Sequence, residues 1–262
     1  MDIIFLRFYI GFYFLAAVTS FTGAFSTKKW LKILTPILAA FGFAFHFAAI
    51  HQRGVSMGRF PLSNLHEFLC FLSWAIILVY LISYIRYKID VLGTVLIPMS
   101  LVLLFTCNML VKDVIPIPSA QQPIWFLFHV TVATLGVAAL FLAFAGSLFY
   151  LLQDHILKKR KRSHLFKFMP SIESCDRIGF QSLLWGFALL TLAIISGAVW
   201  SANVRNAFWV WQTKETFSLV AWIIVAVALY ARLVKGWRGK RSAYLTILGF
   251  MAGLIIMFGV NP

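Results

Sequence analysis

The sequence predicts an all-α integral membrane protein, a bundle of about eight transmembrane helices with both termini extracytoplasmic. Three observations carry this expectation. Hydrophobic residues make up 61% of the 262 and the mean hydropathy is +0.89, where a soluble domain holds about 45–50% apolar residues. Only 12% of residues are charged, about half the usual share, so there is too little polar surface to cover a soluble globule. The apolar residues also gather in runs near the roughly 20 residues that cross a bilayer. Eight such spans consume about 160 residues and leave little for soluble domains. The same composition excludes disorder.

The eight runs are 3–25, 33–51, 65–85, 91–111, 124–152, 178–200, 215–233 and 243–260. The first follows Met1-Asp2, with neither a basic leader nor a small-residue cleavage site, and reads as a retained span and not a signal peptide. The second ends at His51. The third is entered through Phe60-Pro61-Leu62-Ser63-Asn64-Leu65-His66-Glu67. There Ser63 or Asn64 is placed to cap the helix, with Glu67 as capping-box partner. The fourth run is apolar from Val91 to Val111. The fifth is longer than a bilayer needs and is expected to project into solvent as helix. The sixth closes on Trp200. The seventh opens at Glu215, where a negative charge suits the positive end of a helix dipole. No internal repeat or low-complexity segment interrupts 1–262, which reads as a single transmembrane domain.

Basic residues set the expected orientation. Alternate connections hold Lys28, Lys29 and Lys32; Arg86 and Lys88; Lys158, Lys159, Arg160, Lys161, Arg162, Lys167 and Arg177; and Arg232, Lys235, Arg238, Lys240 and Arg241. These are 17 of the 23 lysines and arginines. The intervening connections hold Arg53, Arg59, Lys112, Arg205 and Lys214, and Arg7 lies in the first span. Basic connections stay cytoplasmic. The loops near 52–62, 112–123 and 201–214 are therefore expected outside. The net charge of +15 has a topological cause, so no nucleic acid is needed to explain it. The basic faces suit anionic lipid.

Several chemistries lack an anchor. No GxxxxGK[ST] loop or HExxH pair occurs in the chain. Asp90, Asp113, Asp154, Glu173 and Asp176 fall at connections, so no deep carboxylate marks an ion pathway. The cysteines, Cys70, Cys107 and Cys175, form no CxxC or CxxCH, which removes the dithiol and covalent-haem motifs. Cys70 and Cys107 lie in apolar runs and read as packing residues.

Two features gather toward the expected outer face. His155 and His164 sit in the basic connection, whereas His46, His51, His66 and His129 all approach one layer at the opposite side. His46 is about 7.5 Å deeper than His51 along a helix. Ionisable groups at membrane depth are costly and tend to mark a site, and histidine ligates haem iron. The bland reading of each is a hydrogen-bonded packing histidine. Near the same face run Trp200, Arg205, Phe208, Trp209, Trp211, Lys214, Glu215, Phe217 and Trp222. An interfacial aromatic belt is one reading. A flat apolar platform for a planar ligand such as a porphyrin is the other, with Arg205, Lys214, Arg53 and Arg59 available to its propionates.

These residues resemble a known family. GAVWSANVRNAFWVWQTKETFSLVAW, from Gly197 to Trp222, is similar to the tryptophan-rich "WWD" segment, GAVWANxxWGxYWxWDPKETW, of CcsA/ResC-type cytochrome c assembly proteins. RFPLSNLHEFLCFLSW, from Arg59 to Trp74, resembles the family's HFPLSNLYESLxFLSW. WFLFHVTVATLGVAAL, from Trp125 to Leu140, resembles WLxMHVxxMxLxYAAL and matches His129 to a family histidine. GWRGKRSAYL and FGVN resemble the family's C-terminal part. The likeness runs from about 59 to 261.

Such a resemblance implies a membrane haem-handling protein for cytochrome c maturation, within a cytochrome c haem lyase or synthetase complex. It implies transient b-type haem held outside beneath the loop at about 200–222, for attachment to apocytochrome c. It also implies a CcsB/ResB-like membrane subunit, a thioredoxin-like reductant, and a multi-pass place in the cell's inner (cytoplasmic) membrane. Residue by residue, His129 is carried over as an iron ligand. Trp200, Phe208, Trp209, Trp211 and Trp222 are the platform, and Arg205 and Lys214 the propionate partners. The chain departs from the pattern at Gln212 (Asp in the family), Thr213 (Pro) and Arg205 (Trp). The family's YLHTR histidine is absent at Tyr230-Ala231-Arg232, and so is its final histidine after FGVN. His46, His51 or His66, or a partner, is then expected to supply a second ligand, unless haem binding has been lost. Short HemX-like relatives give the alternative, a non-catalytic membrane regulator of tetrapyrrole synthesis.

Overall fold

A computed structural model describes residues 3–62, 64–110, 124–158 and 169–259. Its helices are α1 (Ile3–Ala24), α2 (Lys29–Met57), α3 (Leu65–Tyr87), α4 (Gly93–Met109), α5 (Ile124–Lys158), α6 (Ile172–Arg205), α7 (Thr213–Leu233) and α8 (Lys240–Gly259). A 3₁₀ turn at Asp90–Leu92 precedes α4. One helix meets each of the eight apolar runs, and there is no strand among the described residues. Seven of the helices, α1 to α7, are long and apolar enough to cross a membrane. The chain is an all-α, multi-pass membrane protein. Ser63, the loop at 112–123 and the basic run 159–167 with His164, all named from the sequence, lie outside the described residues.

Several helices run beyond their apolar stretches, whereas α4, Gly93–Met109, falls inside its run 91–111. α2 continues past His51 to Met57, α5 past 152 to Lys158, and α6 begins before 178 and ends at Arg205. A helical backbone stays hydrogen-bonded after the side chains turn polar, so helices outrun their apolar stretches. Local chemistry sets the stops. Asn64 Oδ1 accepts from the Glu67 amide at 2.8 Å to start α3, and Ser171 Oγ accepts from Ser174 at 3.1 Å to start α6. Gly58 and Asn206 end α2 and α6 in the left-handed region.

The chain divides into two compact units. In the first, α1 lies against α2 and α4, and α3 lies against α2 and α4. A Cβ at Gly42 would stand 2.6 Å from the Tyr13 ring, so glycine there lets α1 and α2 close. Across α3 and α4, Ser73 and Ser100 meet Oγ to Oγ at 2.7 Å. Phe14, Leu15, Phe41 and Phe47 face outward, as a hydrocarbon solvent allows.

The second unit holds α5 to α8. α5 and α6 run together along a seam of Gly136, Gly146, Gly179 and Gly186, and α8 packs on α5 and α7. A Cβ at Gly146 would come 2.8 Å from the backbone nitrogen of Gly179. Arg232 ties three helices together. Its guanidinium donates to both Asp176 oxygens at 2.8 and 2.6 Å and to Ser242 Oγ at 3.0 Å, and lies 4.3 Å from the Phe180 ring centroid. In detergent, Gly146→Val should lower the apparent Tm by an amount consistent with about 1–3 kcal/mol of overpacking. Gly11→Ala, whose added methyl meets nothing within 4 Å, should leave the Tm unchanged or slightly raised.

Candidate functional site

His129 sits one turn into α5, facing α6. Its Nδ1–H donates to the Ala193 carbonyl at 2.7 Å, which fixes the tautomer and leaves Nε2 as the nitrogen with a lone pair. The ring rests on Gly197, where a Cβ would stand 2.8 Å from His129 Cε1 and 2.9 Å from Nδ1. Any larger residue at 197 would push the ring out of place. A turn further along α6, Trp200 meets Phe126 of α5 at 5.5 Å between ring centroids, and the Arg205 guanidinium lies 5.5 Å over the Trp200 ring. His129, Gly197 and Trp200 therefore share one end of the α5–α6 seam.

The tryptophan-rich connection is pinned at its base and open at its tip. Ser201 Oγ donates to the Ala207 carbonyl at 2.8 Å. Glu215, in the first turn of α7, accepts from the Val210 amide at 2.9 Å and from Arg205 Nη1 at 3.1 Å. The helix-start role expected of Glu215 is thus joined to a loop-closing one. Trp211 takes φ 55°, a left-handed conformation that is costly for a bulky residue. Trp209 and Trp211 meet edge-to-face at 6.0 Å. Phe208 is 70% and Trp211 69% exposed. The indole N–H groups of Trp200 and Trp209 are buried without an acceptor among the described residues. Lys214 is exposed. Trp222 is placed elsewhere. Its Nε1 donates to Thr191 Oγ1 at 2.8 Å and its ring stacks on Phe187, nine residues or about 13 Å back along α6 from Trp200.

The first unit gathers a different group. Glu67, its side chain fully buried, receives Arg53 Nε and Nη2 on one oxygen at 3.2 and 2.9 Å, and Arg59 Nη1 on the other at 3.3 Å. Arg53 and Arg59, candidates for propionates in the sequence, are directed at this carboxylate. His46 is stacked on Tyr9 at 4.3 Å, and its Nδ1 lies 3.3 Å from the Tyr13 hydroxyl. The Nδ1–H of His66 donates to the Cys107 carbonyl at 2.7 Å. His46, Arg53, His66, Glu67 and Cys70 line one small cavity. His51 is not part of it; it is exposed, 6.4 Å from the Phe47 ring. Cys70 and Cys107, read from the sequence as packing residues, are buried with their sulfurs 2.9 Å apart. Their only sequence signal was one cysteine in each of two consecutive runs.

Comparison with known proteins adds a family. Residues 62–262 match the model of the cytochrome C assembly protein family. The chain is 34% identical over 233 residues to the cytochrome c biogenesis protein CcsA of Guillardia theta, covering 80% of this chain and 76% of that one. It is 32% identical to CcsA of Prochlorococcus marinus strain MIT 9215, covering 91% and 84%. To CcsA of Chlamydomonas reinhardtii it is 34% identical over 78% of this chain but only 59% of that longer one.

The buried triad yields a stability test. Glu67→Gln leaves two guanidinium groups out of water without their carboxylate, a loss of about 3–5 kcal/mol. The expected outcome is a large fall in Tm and in monodisperse yield, partly recovered when Arg59→Gln is added. A Tm within a degree of the parent would mean that the triad does not stabilise this unit.

Proposed function

The chain belongs to the cytochrome c assembly protein family, and we propose that it serves cytochrome c biogenesis by holding haem at the tryptophan-rich end of α5–α8. The observation that carries this is His129. Its Nδ1–H is fixed on the Ala193 carbonyl and its ring seated on Gly197, the arrangement by which a backbone carbonyl orients a metal-binding imidazole. Haem, when bound, supplies an iron for that imidazole and vinyl groups for the thiols of apocytochrome c. His129 Nε2 would be the ligand atom, since Nδ1 is committed to the Ala193 carbonyl. Trp200, Phe208, Trp209 and Trp211 provide apolar faces that exclude water, and Arg205 and Lys214 provide cations for the propionates. Arg205 is held by Glu215, so its charge is positioned before any ligand arrives. His129 would be the one imidazole that this chain's α5–α8 unit offers to the haem, and a further ligand would come from a partner's side chain or a substrate thiol.

On this reading the chain works beside a CcsB/ResB-like subunit and a thioredoxin-like reductant that keeps the apoprotein thiols reduced. It lies in the cytoplasmic membrane with its basic connections inside. The three relatives above all bear the name cytochrome c biogenesis protein CcsA, which favours assembly over the regulatory alternative.

Two measurements test this. The purified protein should show a Soret band that weakens or shifts in His129→Ala while the Tm holds; identical spectra and unchanged cytochrome c yield would sink the assignment. A reporter enzyme active only outside the cytoplasm should be active when fused at Trp211 and silent when fused at Lys235. The reverse pattern would invert the orientation.

A further inference from the structure

We propose that His66, Cys70 and Cys107 form a buried site for a soft monovalent metal ion, Cu(I), between α3 and α4. A ring nitrogen of His66 and the two Sγ atoms all lie within 4.8 Å of one another, and all three residues are buried. The imidazole is prepared for the role. Its Nδ1–H is spent on the Cys107 carbonyl at 2.7 Å, so Nε2 carries the lone pair. That Nε2 is buried and has no hydrogen-bond partner among the described residues. His66 is 2% exposed and faces, with Cys70, a cavity of about 10 Å³. Such a space holds no more than about one small particle, a water or an ion.

Donor chemistry and charge select the ion. Two thiolates with an imidazole favour Cu(I) or zinc over hard cations. On binding, each thiol gives up its proton, so two protons leave for each ion taken up and no electron is transferred. Cu(I) on two thiolates carries one net negative charge. Arg53, Arg59 and Glu67 carry one net positive charge, and Arg53 and Glu67 line the same cavity. The two cancel in a medium where an unbalanced charge is costly. Zinc on the same ligands would be neutral and leave the positive charge uncompensated, and zinc prefers a fourth ligand. The sulfurs, 2.9 Å apart, separate by about an ångström to share one ion at about 2.3 Å each, a shift within reach of a χ1 adjustment.

The test uses the full chain in detergent, reduced with ascorbate, without oxygen, and titrated with Cu(I) against a chromogenic Cu(I) chelator. One equivalent should be retained. X-ray absorption of the loaded parent protein should show two sulfurs and one nitrogen around copper. Affinity should fall by at least about two orders of magnitude in Cys70→Ser, Cys107→Ser and His66→Gln, because losing a ligand costs no less than losing an outer-shell partner, about 10–100-fold. Cys175→Ser, in the other unit, should bind as the parent does. No retained copper, retention indifferent to the three substitutions, preferential uptake of zinc, or a copper shell without sulfur would each overturn the site. A Cys70–Cys107 disulfide in the reduced preparation, seen as a chain two mass units light, would overturn it too. The absorption measurement needs no variant, so a misfolded mutant leaves it decisive. Haem content is read separately, so failure at His129 and failure here are distinguishable.

Discussion

Polar groups taken out of water without losing their partners are the constraint on which both units turn. Glu67 could not lie fully buried in α3 unless α2 ran on far enough to deliver Arg53 and the following turn delivered Arg59. The length of α2 and the entry to α3 therefore belong to one electrostatic arrangement. In the second unit Arg232 plays the converse part. A cation on α7 reaches Asp176 on α6 and Ser242 on α8, and so fixes three helices at the end where basic residues collect.

Within that frame the apolar packing is close because small residues make it so. Lipid gives helices little hydrophobic reason to associate, so contact rests on backbones that approach closely. The α5–α6 seam shows this along Gly136, Gly146, Gly179 and Gly186, and it ends at Gly197, where the space goes to an imidazole. The site is thus an extension of the packing. A seam built to bring helices together holds His129 at its end, with a carbonyl of the opposite helix setting its tautomer. The connection beyond Trp200 is held by Ser201 and Glu215 while Phe208 and Trp211 stay exposed.

The same group of residues can serve stability and chemistry together. Asn206 ends α6 in a left-handed turn, where the family pattern has glycine. Glu215 caps the loop and holds Arg205. In the first unit, the hydrogen bond from His66 to Cys107 joins α3 to α4 and leaves one imidazole nitrogen uncommitted. Each pairing removes a desolvation penalty and presents a neighbouring atom in a defined direction.

Composition and spacing alone determined that the chain is helical and membrane-embedded, where its eight segments lie, and which family it resembles. Those properties follow from hydropathy and local motifs, and both are written along the chain. A helix cap at Ser63 or Asn64 was legible for the same reason, and the structure puts it at Asn64. What only the tertiary structure decided depends on contacts between distant segments. Trp222 belongs to the tryptophan-rich stretch by sequence but pairs with Thr191, because helix geometry carries it away from the loop. Arg53 and Arg59 read as loop cations, but their charges go to Glu67. His51 and His46 are five residues apart, yet one is exposed and the other enclosed by tyrosines, since five residues turn a helix to another face. Cys70 and Cys107 are 37 residues apart and carry no joint motif; only the packing of α3 on α4 brings their sulfurs together.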